Sequence, residues 1–496
     1  MQERRGNISC ATGFRSLNTS VLQDKFDNHT TGTPIANVDD RLPMTFTVTK
    51  NDNRGGSAIM ESNKGWWVTF SGMGLNLALG VLYAWSVFSK QLTEAVDKGG
   101  FGWSKTEASI PYTVAIACFA LMMVPAGRLQ DKIGPRMVAS LGAVFTAAGL
   151  VFTSFAGAGN ILPAVIGFGL LAGTGFGLGY SAATPAAVKW FPSEKKGLIT
   201  GIVVSGFGLA PVYIAPFSKY LIHDFGLSDA FRVLGAVFAV FAVFIAQFII
   251  NPPAQKTASS SNTVIGNYRV DFSWQEMVKT RTFYLLWFQY ACAATAGLMI
   301  IGHLAKIVSV QSGNAIQTGF LFVVLLAVFN AGGRIVAGII SDRIGRIKTL
   351  MVVFLSQAAV MFFFSKFSTV ETFFIGSAVV GFSYGACLAL FPSATADFWG
   401  TKNMGLNYGI MFTAWGVGGV FGPLMAGRIA DLTGSYNLGY FISAALMITA
   451  ALLTLFTKAP AKKIAPVEKI EVALRTPEEA EVGNHPAAYK VRYKRV

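Results

Sequence analysis

Twelve apolar runs, each of about twenty residues, succeed one another between Trp66 and Thr457. A helix of that length crosses roughly 30 Å of hydrocarbon. Lipid offers backbone amides no partner, so a spanning segment must satisfy them itself. These runs are about twice the length of a barrel strand, which leaves an all-α polytopic membrane protein. The runs read as 66–88, 107–127, 137–157, 160–188, 198–221, 230–250, 282–306, 318–341, 348–366, 371–397, 407–428 and 436–457. Hydrophobic residues make up 53% of the chain and charged ones 13%, about half the charge of a soluble domain.

The flanks are polar. Residues 1–65 hold eight Lys/Arg and seven Asp/Glu with no apolar core for a signal peptide, and they read as a disordered cytoplasmic tail. With the N-terminus inside, inner loops carry 14 of the 40 basic residues, the tails 8 and 9, and the outer loops 8. The positive-inside rule therefore places both termini in the cytoplasm. The expected organisation is a six-helix half over 66–251, a cytoplasmic central loop over 252–281, a second half over 282–457, and a cytoplasmic tail over 458–496. Topology and contact with anionic membrane lipids account for much of the net charge of +15, so no nucleic-acid partner is needed. Cys10, Cys118, Cys292 and Cys387 are widely separated, without the spacing a metal site or disulfide framework requires. No cofactor is expected, and no HExxH, GxSxG or paired His/Asp pattern points to an enzyme.

The chain repeats itself. Gly127-Arg128-Leu129-Gln130-Asp131-Lys132-Ile133-Gly134-Pro135-Arg136, after span 2, returns as Gly338-Ile339-Ile340-Ser341-Asp342-Arg343-Ile344-Gly345-Arg346 after span 8, at an offset of 211. Phe191–Gly197 and Trp399–Gly405, after spans 4 and 10, are offset by 208. Two markers at nearly one offset mean six duplicated spans, and such halves commonly enclose a substrate site between them. Gly127, Gly134, Gly338 and Gly345 permit a tight turn. Asp131 and Asp342 can accept hydrogen bonds from a neighbouring helix N-terminus. Arg136, Arg343 and Arg346 stay at the headgroups. These residues form a pair of candidate conformational-switch loops.

The loops resemble the signature loop of the major facilitator superfamily, with Pro135 standing where that signature usually has a basic residue. Further stretches resemble its oxalate/formate antiporter family and the monocarboxylate transporters related to it. They are Gly80–Phe88, Gly297–Gly302, Asn330-Ala331-Gly332-Gly333-Arg334, Phe391–Asp397 and Asn407-Tyr408-Gly409. The resemblance covers about residues 64–457 and implies two six-helix halves in the major facilitator fold.

Arg334 is the one unambiguous charge inside a span. It lies eight residues before Asp342, about 12 Å along the helix. A cation so near the midplane costs about 2.5–3.5 kcal/mol on the lenient insertion scale, which marks it as functional. The competing structural role is a hydrogen bond to Asn330, one turn away on the same face. The guanidinium suits a carboxylate, which it pairs bidentately, and the resemblance implies an anion ligand at this position. By helical rise, Trp415, Tyr180 and Gln289 share its depth, while Tyr83, Tyr112, Tyr213 and Tyr384 lie further out. Tyrosine and tryptophan give an apolar wall with one donor each. Tyr83, Tyr384 and Trp415 fall where the resembling family lines its pocket, whereas Tyr112 and Tyr213 sit near interface-belt depth.

Oxalate carriers of that family add a lysine in span 11. The corresponding stretch here is Phe412-Thr413-Ala414-Trp415-Gly416, with no lysine between Asn403 and Arg428. One fixed positive charge suits one carboxylate, so the expected cargo is formate, lactate or pyruvate rather than oxalate. His303 and Lys306 would offer a second cation only if span 7 bends. No carboxylate or histidine stands at midplane depth, which favours anion exchange, or proton movement carried by the substrate acid itself. The expectation is a monomeric secondary transporter of small monocarboxylates. The alternatives are a polyspecific efflux carrier on the same fold and a membrane sensor.

Overall fold

Helices form nearly everything in the computed structural model, which describes residues 54–253, 271–316 and 319–460. The expected tails and central loop lie outside the described residues over 1–53, 461–496 and 254–270. Their remaining parts are described: the first helix starts at Arg54, inside the stretch read as a tail, and a short helix, Trp274–Val278, precedes span 7. Ser273 and Glu276 cap that short helix reciprocally, satisfying two amides that would otherwise lack partners.

The spans are Asn63–Thr93, Thr106–Ile133, Pro135–Thr153, Leu162–Val188, Ser193–Ala246, Arg281–Ile301, Leu321–Ile344, Arg346–Lys366, Val370–Trp399, Met404–Ala430 and Asn437–Thr454. The fifth stretch runs to 54 residues, about 80 Å of helix at 1.5 Å per residue, and so supplies two crossings. It breaks at Gly226, whose φ of 80° is open to glycine without steric penalty. Eleven helical stretches thus provide spans 1 to 12. Span 3 ends at Thr153 rather than 157, because Gly157 and Asn160 pair in a tight turn. Span 7 stops at Ile301, and a separate helix, Leu304–Gln311, resumes after His303.

Leu121, Val240, Phe244 and Leu432 are exposed, while Asn76, Gln130, Gln289 and Gln357 are buried. This apolar exterior faces lipid. Inside, glycines draw helices together. A Cβ on Gly142 would sit 2.5 Å from the Gly179 amide, and one on Gly149 2.5 Å from the Ala172 amide, so spans 3 and 4 touch backbone to backbone. Span 4 is a π-helix over Val165–Ala172, the stretch containing Gly167 and Gly169. Small-residue packing of this kind replaces the hydrophobic effect between helices in lipid.

Packing follows the repeat. Span 2 meets span 4 as span 8 meets span 10, and span 3 meets span 6 as span 9 meets span 12. Across the pseudo-symmetric seam, span 2 packs on span 11 and span 5 on span 8. From Gly55 onward the chain forms one compact unit, with the seam running through its middle.

Candidate functional site

Arg334 reaches the seam because span 5 is thin opposite it. Gly201, Val204 and Gly208 share one helical face. A Cβ on Gly208 would stand 3.2 Å from the guanidinium Nε, and one on Gly201 would collide with the Arg334 carbonyl. The guanidinium is fully buried. Its Nε donates to Asn330 Oδ1 at 2.9 Å, and Nη1 donates to the carbonyl of Val204. Nη2 has no partner among the described residues. That is an unmade charged hydrogen bond in a dry setting, worth at least about 1–3 kcal/mol to any acceptor that supplies it.

Tyr83, Phe119, Tyr180, Phe207, Arg334, Leu388, Phe412 and Trp415 line a cavity with about 10 Å³ available to the centre of a water-sized occupant. Trp415 Nε1 donates to the Tyr384 hydroxyl at 2.8 Å. That hydroxyl lies 3.4 Å from the Tyr83 hydroxyl, across the seam. Phe412 stacks on Trp415 with centroids 4.8 Å apart, and Phe119 lies 5.3 Å from Trp415. The site is therefore an aromatic box whose only charge, among its lining residues, is Arg334.

Of the candidates read from the sequence, the structure brings Arg334, Tyr83, Tyr180 and Trp415 to the cavity wall. Tyr384 stands behind it, orienting Trp415, and Asn330 holds the guanidinium. Gln289 lies elsewhere: its Nε2 donates to Thr457 Oγ1 at 2.7 Å, so equal depth did not mean equal direction. His303 contacts the Pro423 carbonyl at 3.1 Å and Lys306 is exposed; neither lines the cavity even though span 7 is interrupted. Tyr213 donates to the Leu77 carbonyl at 3.1 Å. Sequence depth missed Phe119, Phe207, Leu388 and Phe412. Helical spacing marks Phe119, two turns after Tyr112 on span 2.

Replacing Tyr384 with phenylalanine is expected to free the Trp415 indole at a cost of about 1 kcal/mol. Substrate affinity, measured by competition binding, should fall about fivefold. Tyr83→Phe should cost less, since its hydroxyl makes only the longer contact.

Both repeated loops lie at one end of the bundle and close the seam there. Gly134 and Gly345 adopt the same positive φ, 92° and 95°, which reserves both turns for glycine. Asp342 accepts from the Gly197 and Leu198 amides at 2.8 and 2.9 Å, capping the start of span 5. Asp131 accepts from the Leu406 amide at 3.1 Å, near the start of span 11. Each aspartate thus binds the positive end of a helix in the other half.

The two corners differ in their ion pairs. At the Asp342 corner, Arg346 reaches Asp342 at 2.7 Å and Asp397 at 2.8 Å, and Lys196 reaches Asp397 at 2.9 Å across the seam. At the other corner Asp131 has Lys189 at 3.6 Å. Burial holds the Lys189 ammonium below its ordinary range, with Asp131 pulling the other way. Arg136 caps the end of span 6 through the Gln247 carbonyl at 2.8 Å, and Arg343 is exposed. Gly127 abuts the Gly405 backbone and Gly338 that of Gly197.

Known proteins share this architecture. The family model described as Major Facilitator Superfamily matches residues 65–365 and 317–488. The oxalate:formate antiporter of Oxalobacter formigenes is 29% identical over 412 residues, spanning 82% of this chain and 94% of its own. Monocarboxylate transporter 13 of Rattus norvegicus is 23% identical over 395 residues, spanning 77% and 86%. Among solved structures, the human organic anion transporter MFSD10 aligns at a TM-score of 0.60 and 14% identity, covering 79% of this chain and 99% of that one. The Escherichia coli fucose:proton symporter FucP aligns at 0.56 and 16%, covering 77% and 98%. At these identities the two structures speak for the fold alone. With a family match running through both halves and an all-helical fold to carry it, the chain belongs to the major facilitator superfamily and is a multi-pass membrane transporter, not an enzyme.

Proposed function

We propose that this transporter exchanges small monocarboxylates by alternating access, with Arg334 as the anion ligand. The observation that carries the reading is the buried guanidinium: Nε and Nη1 are held by protein oxygens while Nη2 is unpartnered beside the cavity. A carboxylate would complete it and neutralise a charge that is expensive at this depth. Trp415, held from behind by Tyr384, forms part of the same cavity wall. Exchange is favoured because the cavity lining holds no carboxylate or histidine to take up a coupling proton.

The similarity to an oxalate:formate antiporter raises oxalate as a second cargo. A dianion beside one arginine would keep an unpaired charge in the box, at a cost of several kcal/mol. Formate or lactate leaves none. A polyspecific drug carrier would call for an acid in the cavity to attract cations, and the lining residues include none. The excess of basic residues on the loop end supports a cytoplasmic location for that face and for both termini. The carrier acts as a monomer in this reading, since both halves of its site come from one chain.

Counterflow in proteoliposomes tests the cargo. Vesicles preloaded with formate, lactate, pyruvate or oxalate should accumulate labelled monocarboxylate and show little oxalate exchange. Strong oxalate exchange without monocarboxylate uptake would overturn the assignment.

A further inference from the structure

Phe412 has two faces. On the cavity side its ring meets Trp415, Phe119 and Tyr180, at 4.8, 5.2 and 5.3 Å. On the side toward the repeated loops it meets Tyr408 at 5.7 Å and Tyr290 at 6.3 Å, both edge to face. Tyr408 precedes Trp415 by seven residues, about 10 Å along span 11 toward the loops. Tyr290, on span 7, stacks on Phe391 of span 10 at 4.1 Å.

Tyr290 and Tyr408 are 1% and 0% exposed. Neither hydroxyl has a hydrogen-bond partner of good geometry among the described residues. The Tyr408, Tyr290 and Tyr180 hydroxyls lie near one another without forming hydrogen bonds of good geometry, and Tyr180 itself lines the Arg334 cavity. A buried hydroxyl without a partner costs about 1–3 kcal/mol, and phenylalanine would fill the same volume without that cost. Two such hydroxyls stand on the loop side of Phe412, whose other neighbours line the cavity.

We propose that Tyr290 and Tyr408 form a second carboxylate station on the loop side of Phe412. The inference rests on the monocarboxylate reading of Arg334. The substrate carboxylate leaves Arg334, passes Phe412 as its ring swings aside, and accepts both phenolic protons. Tyr180, which lines the Arg334 cavity and lies near the Tyr408 hydroxyl, bridges the transfer. The station holds two neutral donors and no cation, so it binds more weakly than Arg334. A transit site has to be weak enough to release its cargo. It also removes the need for a bare carboxylate to cross an apolar partition in one step.

The test is the KM of labelled formate and lactate exchange from each face of reconstituted Tyr290→Phe, Tyr408→Phe and double-variant protein. Lys402→Cys, labelled with an impermeant thiol reagent, identifies the loop face. The double variant should raise the loop-face KM about fivefold, matching about 1 kcal/mol of lost hydrogen bonding, and leave the opposite-face KM nearly unchanged. Equal changes at both faces would overturn the proposal. So would unchanged KM values with raised thermal stability, which mark the hydroxyls as structural. Should the unsubstituted protein exchange no monocarboxylate, the Arg334 reading fails and this station fails with it; a failure of the station alone leaves Arg334→Ala still inactive from both faces.

Discussion

Arg334→Ala should abolish carboxylate exchange, by at least about 100-fold, while the protein still reaches the membrane and folds. The loss follows from the size of the interaction: removing one partner of a buried charged pair costs about 2–5 kcal/mol. Stability is spared because two effects offset. The variant strands the Asn330 and Val204 oxygens, which now accept from the guanidinium, at about 1–3 kcal/mol each. It also removes a midplane cation whose insertion costs about 2.5–3.5 kcal/mol. Arg334→Lys should recover little, since a point charge cannot contact Asn330, Val204 and a carboxylate in the same planar fork. Uptake of labelled formate beside thermal melting of purified protein separates the two effects. Normal uptake by the alanine variant would remove Arg334 from the site.

A smaller but still large loss is expected from Gly127→Ala and Gly338→Ala, which touch no substrate. A Cβ at either position runs into backbone of the opposite half, at Gly405 or Gly197. Main chain cannot rotate away as a side chain can, so the loop end cannot seal. The contacts lie across the seam and not within a half, so each half should fold normally. Exchange should fall more than about tenfold, in keeping with an overpacking cost of about 1–3 kcal/mol charged to one conformation. Spin labels at Lys132 and Lys402, both exposed, should show a longer separation than in the unsubstituted protein. An unchanged distance with unchanged exchange would mean the backbone approach is not needed for closure.

The fold was legible because its signals are redundant. Each span carries its own length and polarity, and two motif pairs at offsets of 211 and 208 fix the six-span repeat. Span edges were less legible. The four-residue overhang from Ser154 to Gly157 is apolar enough to read as helix, yet the Gly157 and Asn160 turn takes it. At the site, Arg334 stood out because charge in lipid is rare. Depth along a helix does not give azimuth: Gln289 has the right height and faces Thr457, while Phe412, an unremarkable apolar residue in sequence, lines the cavity and stacks on Trp415. The ionic corner was half visible, since Asp342 and Arg346 lie in a motif, but Lys196 and Asp397 meet only through the fold.

Duplication should have produced two like corners, and it did not. Counting back 208 residues from Asp397 gives Lys189, counting forward 208 from Lys196 gives Met404, and counting back 211 from Arg346 gives Pro135. Three positions that tie an ionic knot in one copy hold a lysine paired more loosely with Asp131, a thioether and a rigid ring in the other. A plate fastened firmly along one edge and lightly along the other peels before it lifts. The two-fold therefore describes where the helices stand, whereas the ties across the seam are unequal, and parting the loop end is expected to cost less along the Asp131 edge than along the Asp342 edge.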